Sequence, residues 1–321
     1  KSMKIVFMEA QSLGDDMDLS MFNRLGDVVI YDVDTPDKNA QRIQDADVVI
    51  MNKIRMDEAL LKDAKNLKLI CVTATGTDCI DIEYCRTRGI AVSNVCGYST
   101  ESVVQHTFAL LFYLWEKSPW YDTYVKDGTY AKAVGFGCYP EKFHELAGKK
   151  WGIIGLGNIG RRVAGVATAF GCHVQYYSTS GQNANSDYPR VDLDTLLKES
   201  DIISIHAPLN DQTRGLICAD NLSKMKRSAV LLNLGRGGIV VDEDLTRALE
   251  QGVIAAAGLD VLNQEPIAPD NPLLRIQDSR KLYITPHIAW ATVEARQRCI
   301  TEVFQNIEAF LQGGIRNSVV F

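Results

Sequence analysis

The sequence predicts an α/β protein made of two doubly wound parallel sheets, and three observations lead there. Its 321 residues are enough for two domains of roughly 150 residues each, with real apolar cores. Its apolar segments are short and continuous, the pattern of strands buried on both faces. These segments alternate with polar helical stretches, the order of βαβ units, in two separate series.

The first series runs from Met3 to about Asn94, with strands in KIVFMEA, VVIYD, VVIMNK, LKLICVTAT and IAVSNV and helical spacers such as MDEALLKDAKN. From about Ser99 to Glu116, TESVVQHTFALLFYLWE opens in a cap region and is apolar around most of its circumference, which predicts a buried helix joining the domains. Lys117 to Leu146 is rich in aromatics, Gly and Pro without clear periodicity. It reads as an extended excursion, a subunit-contact arm in preference to a loop. The second series begins near Lys150, with strands in KWGIIGLG, HVQYYS, DIISIHAP, AVLLNLG, AAAGLDV and LYITPH. A last helix is predicted over Thr292 to Gln312, ended by Gly313-Gly314.

Composition removes several function classes. Apolar residues are 46% and charged residues 23%, with 24 Gly and 9 Pro, so the chain has no disordered or collagen-like bias. Lys plus Arg at 34 against Asp plus Glu at 40 leaves a net charge of −6 and no basic run to follow a phosphate backbone, so no nucleic-acid partner is expected. The 8 cysteines form no CxxC pair and have no companion His spacing, so no metal site is expected and reduced thiols are. The most apolar helix-length stretch, Val103 to Trp115, holds Gln105 and His106 and is too short for a bilayer. Without a basic stretch and apolar run at the N-terminus, the expectation is a cytoplasmic protein.

In KWGIIGLGNIGRRVAGVATAFG, Gly155, Gly157 and Gly160 form GxGxxG directly after an apolar strand and open a helix. Gly155 permits the tight turn, Gly157 lets backbone approach a pyrophosphate, and Gly160 lets helix pack on strand. That context makes the second series a Rossmann dinucleotide-binding domain. The next strand should end in Asp or Glu if it reads the adenosine ribose in the usual NAD manner, but it ends in Ser178-Thr179-Ser180. No Arg stands at this turn to attract a 2′-phosphate either, so NAD is favoured and NADP stays open.

Arg236 in NLGRGG, Glu265 in GLDVLNQEP and His287 in ITPHIAW all sit where strands of the second series end, the edge at which doubly wound sheets place ligands. Each alone has a dull explanation: a surface turn residue, a solvated acid, a helix-start or core histidine. Together, beside a dinucleotide, they suit hydride transfer to a 2-keto acid. Arg236 offers a bidentate fork for the carboxylate, His287 a proton for the carbonyl, and Glu265 the anionic neighbour that orients the imidazole.

These motifs, with ATGTDCID (Ala74 to Asp81), YSTESVVQHTFAL, HAPLNDQT, LLNLGRGGIVVDEDL and ITPHIAWAT, resemble the D-isomer-specific 2-hydroxyacid dehydrogenase family over nearly the whole chain. The resemblance implies a discontinuous, flavodoxin-like substrate domain, 3–98 with 288–321, around an NAD(P)-binding domain, 99–287, with the active site in the cleft. It implies that Arg236, Glu265 and His287 are the substrate-binding arginine, the histidine-tuning acid and the proton donor. The backbone of Thr75 and Gly76 matches the segment that grips the substrate carboxylate. Asn158 and Ile159 match the phosphate loop; His206, Pro208 and Thr213 the strand-end loop; Leu234 and Asp260 the nicotinamide surroundings. Members are usually homodimers paired through the nucleotide domain.

Within the family, formate dehydrogenases pair the histidine with Gln; Glu265 here implies that a proton is moved. HIAWA with Trp290 is similar to glycerate dehydrogenases, also called hydroxypyruvate reductases, which makes hydroxypyruvate or glyoxylate the expected substrate over a D-lactate or branched-acid pair. The chain leaves no room after its last helix for the regulatory domain of many phosphoglycerate dehydrogenases, so serine feedback is not expected. NAD(H)-binding transcriptional corepressors share the scaffold and are the competing class; the full Arg, Glu and His set and the absence of a basic patch favour the enzyme.

Overall fold

The computed structural model describes residues 2–320 and divides into two compact units, one formed by the chain up to Ser99 and from Ala291 onward, the other by Thr100–Trp290. The second boundary lies three residues beyond the expected 287/288. The reason is local: the amides of His287, Ile288 and Ala289 all bond to Asp260, so this turn belongs with the second sheet.

The first unit holds β1 (Lys4–Phe7), β2 (Asp27–Ile30), α1 (Pro36–Ile43), β3 (Val48–Met51), α2 (Glu58–Leu61), β4 (Leu69–Val72), α3 (Ile82–Arg88) and β5 (Ala91–Ser93). All strands are parallel, in the order β2-β1-β3-β4-β5, the flavodoxin arrangement. α3 is capped by the Asp81 carboxylate, which accepts from the Tyr84 amide at 2.9 Å, and stops at Gly89, whose φ of 67° suits glycine. The reversal of strand order lies between β1 and β3. There the Glu9 carboxylate accepts from the amides of Asn52 and Lys53 at 2.6 and 2.9 Å and closes the edge.

The second unit begins with α4 (Thr100–Trp115) and α5 (Ser118–Lys126), followed by β6 (Lys150–Ile154), α6 (Asn158–Ala169), β7 (His173–Tyr177), α7 (Leu193–Glu199), β8 (Ile202–Ile205), α8 (Ala219–Ser223), β9 (Val230–Asn233), α9 (Asp242–Glu250), β10 (Ala256–Leu259) and β11 (Leu282–Ile284). Its six parallel strands run β11-β10-β9-β8-β6-β7, so the order reverses between β6 and β8. Two apolar cores flank this sheet, one centred on Trp151, Phe108 and Leu232, the other on Ile203, Leu231 and Leu249. Both faces are thus covered, which is why the strands read as unbroken apolar runs.

α5 and a 3₁₀ turn at Tyr130–Lys132 lie in the stretch predicted to lack periodicity. Local chemistry accounts for α5: Pro119 sits in its first turn, Trp120 and Tyr124 stack at 5.3 Å, and Asp122 pairs with Lys126 at 2.8 Å, each four residues apart. Beyond it Val134, Phe136 and Tyr139 are exposed.

The chain then re-enters the first unit as α10 (Val293–Leu311), capped by Thr292, whose hydroxyl accepts from the Ala295 amide at 3.2 Å. Cys299, Ile300, Val303, Phe304 and Ile307 recur at helical spacing and pack on Ile5, Phe7 and Leu69 of the first sheet and on Phe22 of the 3₁₀ turn at Ser20–Arg24. At about 1.5–3 kcal/mol for each large apolar side chain buried, this face alone explains why the C-terminal helix belongs to the first sheet. No helix among the described residues is long and apolar enough to cross a membrane.

Candidate active site

The glycine turn after β6 lies where the strand order reverses, the crevice in which doubly wound sheets bind ligands. A Cβ on Gly155 would lie 2.9 Å from the His206 carbonyl oxygen, and one on Gly160 would lie 2.2 Å from the Gly155 carbonyl oxygen. Both glycines therefore let backbones touch. Gly157 differs: a Cβ there would meet nothing within 4 Å, and no side chain caps the α6 N-terminus it begins. Open space beside uncapped helix amides suits a pyrophosphate, so these residues fit a dinucleotide.

The other residues of this edge divide by what their polar atoms already do. Asn158 is exposed and its amide oxygen accepts from Arg161; Ile159 is half-buried. Ser178, at the strand end where an NAD site usually carries an acid, is buried, and its hydroxyl accepts from the Asn183 amide at 3.2 Å while the Asn183 side chain donates to the Leu156 carbonyl at 2.7 Å. Thr179 is half-buried beside it. Thr213 is buried with its hydroxyl donating to the Pro208 carbonyl at 2.7 Å, so it shapes the strand-end loop from within. Leu234 is buried at the end of β9. His206 approaches Ser204 Oγ at 3.0 Å through Nε2, while its Nδ1 is buried without a partner; burial pushes its pKa down to about 3, so the ring is neutral.

At the ends of β9, β10 and β11 the structure brings the expected triad onto one edge. Asn233 cages the Arg236 loop, its side chain donating to the Arg236 carbonyl at 3.0 Å and accepting from the Gly235 amide at 3.0 Å. A Cβ on Gly237 would lie 1.9 Å from the Leu262 carbonyl, so only glycine lets this loop press on the segment that carries Glu265. Glu265 in turn accepts from the Leu262 amide at 2.9 Å through Oε1 and meets His287 Nδ1 at 2.6 Å through Oε2. A carboxylate only accepts, so Nδ1 carries the proton of that bond, and Nε2 is the atom left to face a substrate. The Arg236 side chain is exposed, with one donor on the Gly235 carbonyl.

His287 has a φ of 54°, a left-handed conformation that costs a non-glycine residue about 1–2 kcal/mol. The turn is held by Asp260, whose buried carboxylate accepts from the Ile288 amide (2.8 Å), the Ala289 amide (3.0 Å) and the Thr285 hydroxyl (2.7 Å). The Asp260 carbonyl accepts from the His287 amide at 2.9 Å. Trp290 closes the turn, its indole donating to the His287 carbonyl at 2.9 Å. Strain held by surrounding bonds is what a functional side chain set at a fixed angle requires.

Thr75 and Gly76 lie in the first unit, in the loop after β4. Thr75 donates to the Val95 carbonyl and accepts on its own carbonyl from Asn94, both at 2.8 Å. A Cβ on Gly76 would come no closer to a neighbour than 3.9 Å, from Asp78 Oδ2, so its backbone is open to a ligand. Sequence reasoning passed over Asn233, Gly237 and Asn183. Asn233 and Gly237 flank Arg236 in NLGRGG, and a polar strand end followed by repeated glycines is the signal of a loop bound closely on both sides.

Comparison with known proteins gives the family. Residues 108–289 match the family model for the NAD binding domain of D-isomer specific 2-hydroxyacid dehydrogenases. The chain is 37% identical to glycerate dehydrogenase of Methylorubrum extorquens, covering 98% of each, and 36% identical to hydroxypyruvate reductase of Blautia hydrogenotrophica, covering 99% of each. The structure of D-lactate dehydrogenase from Aquifex aeolicus, solved with NAD and lactic acid, superposes with a TM-score of 0.82 at 28% identity over 99% of each chain. With the glycine turn, the Arg, Glu and His edge and this likeness along its whole length, the chain belongs to the D-isomer specific 2-hydroxyacid dehydrogenase family and is an NAD(P)-dependent enzyme.

Proposed function

We propose that the protein reduces hydroxypyruvate or glyoxylate to the corresponding D-2-hydroxy acid or, for glyoxylate, the 2-hydroxy acid, with Arg236, Glu265 and His287 as its catalytic residues. The observation that carries this reading is the 2.6 Å bond between His287 Nδ1 and Glu265 Oε2 on the edge that also carries Arg236. Bound NADH supplies the hydride to the carbonyl carbon. Arg236 holds the substrate carboxylate as a two-pronged donor. His287, protonated on both nitrogens and steadied by Glu265, gives its Nε2 proton to the carbonyl oxygen as negative charge develops there. The neutral ring then keeps its Nδ1 proton on Glu265. In the oxidative direction Nε2 accepts the hydroxyl proton.

Gly155, Gly157 and Gly160 with the first turn of α6 would hold the pyrophosphate, and Asp260 and Leu234 would border the nicotinamide. The relatives named for glycerate and hydroxypyruvate support a small substrate, as does Trp290 beside His287. The exposed Val134, Phe136 and Tyr139 beyond α5 support a homodimer paired through the second unit.

The test is initial-rate reduction of hydroxypyruvate, glyoxylate, pyruvate and 2-ketoisocaproate with NADH and with NADPH. Hydroxypyruvate or glyoxylate should dominate kcat/KM; a branched 2-keto acid in that place would overturn the substrate assignment. His287→Ala should lower kcat by about 10²–10⁴, the usual share of a general acid, with NADH affinity kept. A variant within threefold of the parent would remove His287 from the mechanism.

A further inference from the structure

The turn that carries His287 is gripped from a second direction by α4. Ser102 and His106 stand four residues apart on that helix, hence on one face. Ser102 is buried and its hydroxyl donates to the Ala289 carbonyl at 2.5 Å. His106 Nε2 lies 2.9 Å from the Thr285 hydroxyl and 3.7 Å from Asp260 Oδ1. The two contacts fall on either side of His287.

The direction of each bond in this chain is dictated. Asp260 Oδ1 only accepts, so the Thr285 hydroxyl spends its one proton on it. The Thr285 oxygen can then only accept from His106, which must carry its proton on Nε2. Burial pushes the His106 pKa down, against the pull of Asp260, and so favours the neutral ring. A neutral ring protonated at Nε2 is a single oriented donor.

We infer that His106 is a positioning residue: through Thr285 and Asp260, with Ser102 as the second point of the clamp, it sets the angle at which His287 presents Nε2 to the substrate. The claim rests on His287 being the proton donor. Unlike a packing role, it depends on the donor atom and not on the volume of the ring. A group acting this way changes the rate of proton transfer without touching the substrate, so kcat should fall with little change in KM.

The experiment compares His106→Leu, which removes the donor, with His106→Gln, whose amide nitrogen is separated from the backbone by the same number of bonds as Nε2. His106→Leu should lower kcat about tenfold with KM for the 2-keto acid within threefold, and His106→Gln should restore kcat to within threefold of the parent. Tryptophan-¹⁵N spectra give a readout independent of turnover, because the Trp290 indole donates to the His287 carbonyl. Its signal, assigned with Trp290→Phe, should move in His106→Leu and return in His106→Gln, with those of Trp120 and Trp151 unmoved.

Loss of kcat in both variants alike, or in neither, would overturn the inference. An unmoved Trp290 signal in His106→Leu would do the same. If Trp290 responds as expected while His287→Ala keeps full activity, the clamp stands and the assignment of His287 falls. Should His106→Leu fail to fold, Thr285→Val against Thr285→Ser makes the same comparison at the middle of the chain, with rescue expected from serine and its absence overturning the claim.

Discussion

Gly157→Ala separates folding from cofactor binding more cleanly than any other change at the glycine turn. An added Cβ at position 157 meets nothing within 4 Å. Gly157 is the N-cap of α6, where alanine is worse than glycine by about 0.5–1 kcal/mol. Restricting the unfolded chain returns about 0.4–1 kcal/mol, so the net change in stability is about zero. The same methyl occupies the space through which backbone would approach the pyrophosphate. Forcing a methyl into a filled contact costs about 1–3 kcal/mol, which is about 5-fold to 150-fold in Kd. Calorimetric titration with NADH and a thermal melt of the free protein read the two effects separately. Gly160→Ala is the control: its Cβ would lie 2.2 Å from the Gly155 carbonyl oxygen, so both stability and NADH affinity should fall. A Gly157→Ala protein with parental melting and an NADH Kd within threefold of the parent would refute the placement of the pyrophosphate at this turn.

Other consequences are equally direct. Glu265→Gln keeps the shape of the side chain but removes the negative charge beside His287 Nδ1, and should lower kcat about tenfold or more in steady-state reduction; parental kcat would dissociate the 2.6 Å bond from catalysis. Burial lowers the His206 pKa from 6.5 to about 3 in the folded protein, so the unfolded chain binds the extra proton between those values, and this contribution to stability is lost as pH falls from about 6.5 toward 3. Urea unfolding of His206→Gln over that interval should show a pH slope smaller by close to one proton than the parent's. Burial also raises the thiols of Cys85 and Cys172 to about 11 and Cys299 to about 12, whereas Cys96 is exposed. A disulfide reagent at pH 8 should show a fast phase that Cys96→Ser abolishes, and its persistence would place a reactive thiol elsewhere.

Much of the protein is legible in its order of residues because the signals are local. A parallel strand buried on both faces must be apolar throughout, so KWGIIG and VLLN announce themselves. A strand that turns directly into a helix at a phosphate needs glycines at 155, 157 and 160, and Arg236, Glu265 and His287 stand out as polar residues at strand ends. α5 was hidden because its support comes from aromatic stacking and one ion pair on an exposed helix, with no buried stripe to set a period.

What the chain order could not show are the contacts between segments distant in sequence, since no short-range pattern encodes them. Gly237 against the Leu262 carbonyl and His106 against Thr285 join residues 25 and 179 positions apart. The left-handed backbone of His287 is likewise a product of the bonds that Asp260 makes around it. Residue types at strand ends select the chemistry, because charge, donor number and ring nitrogens are intrinsic to the side chain. Which nitrogen faces the substrate, and at what angle, comes from hydrogen bonds that exist only once β9, β10, β11 and α4 of the second unit have packed together.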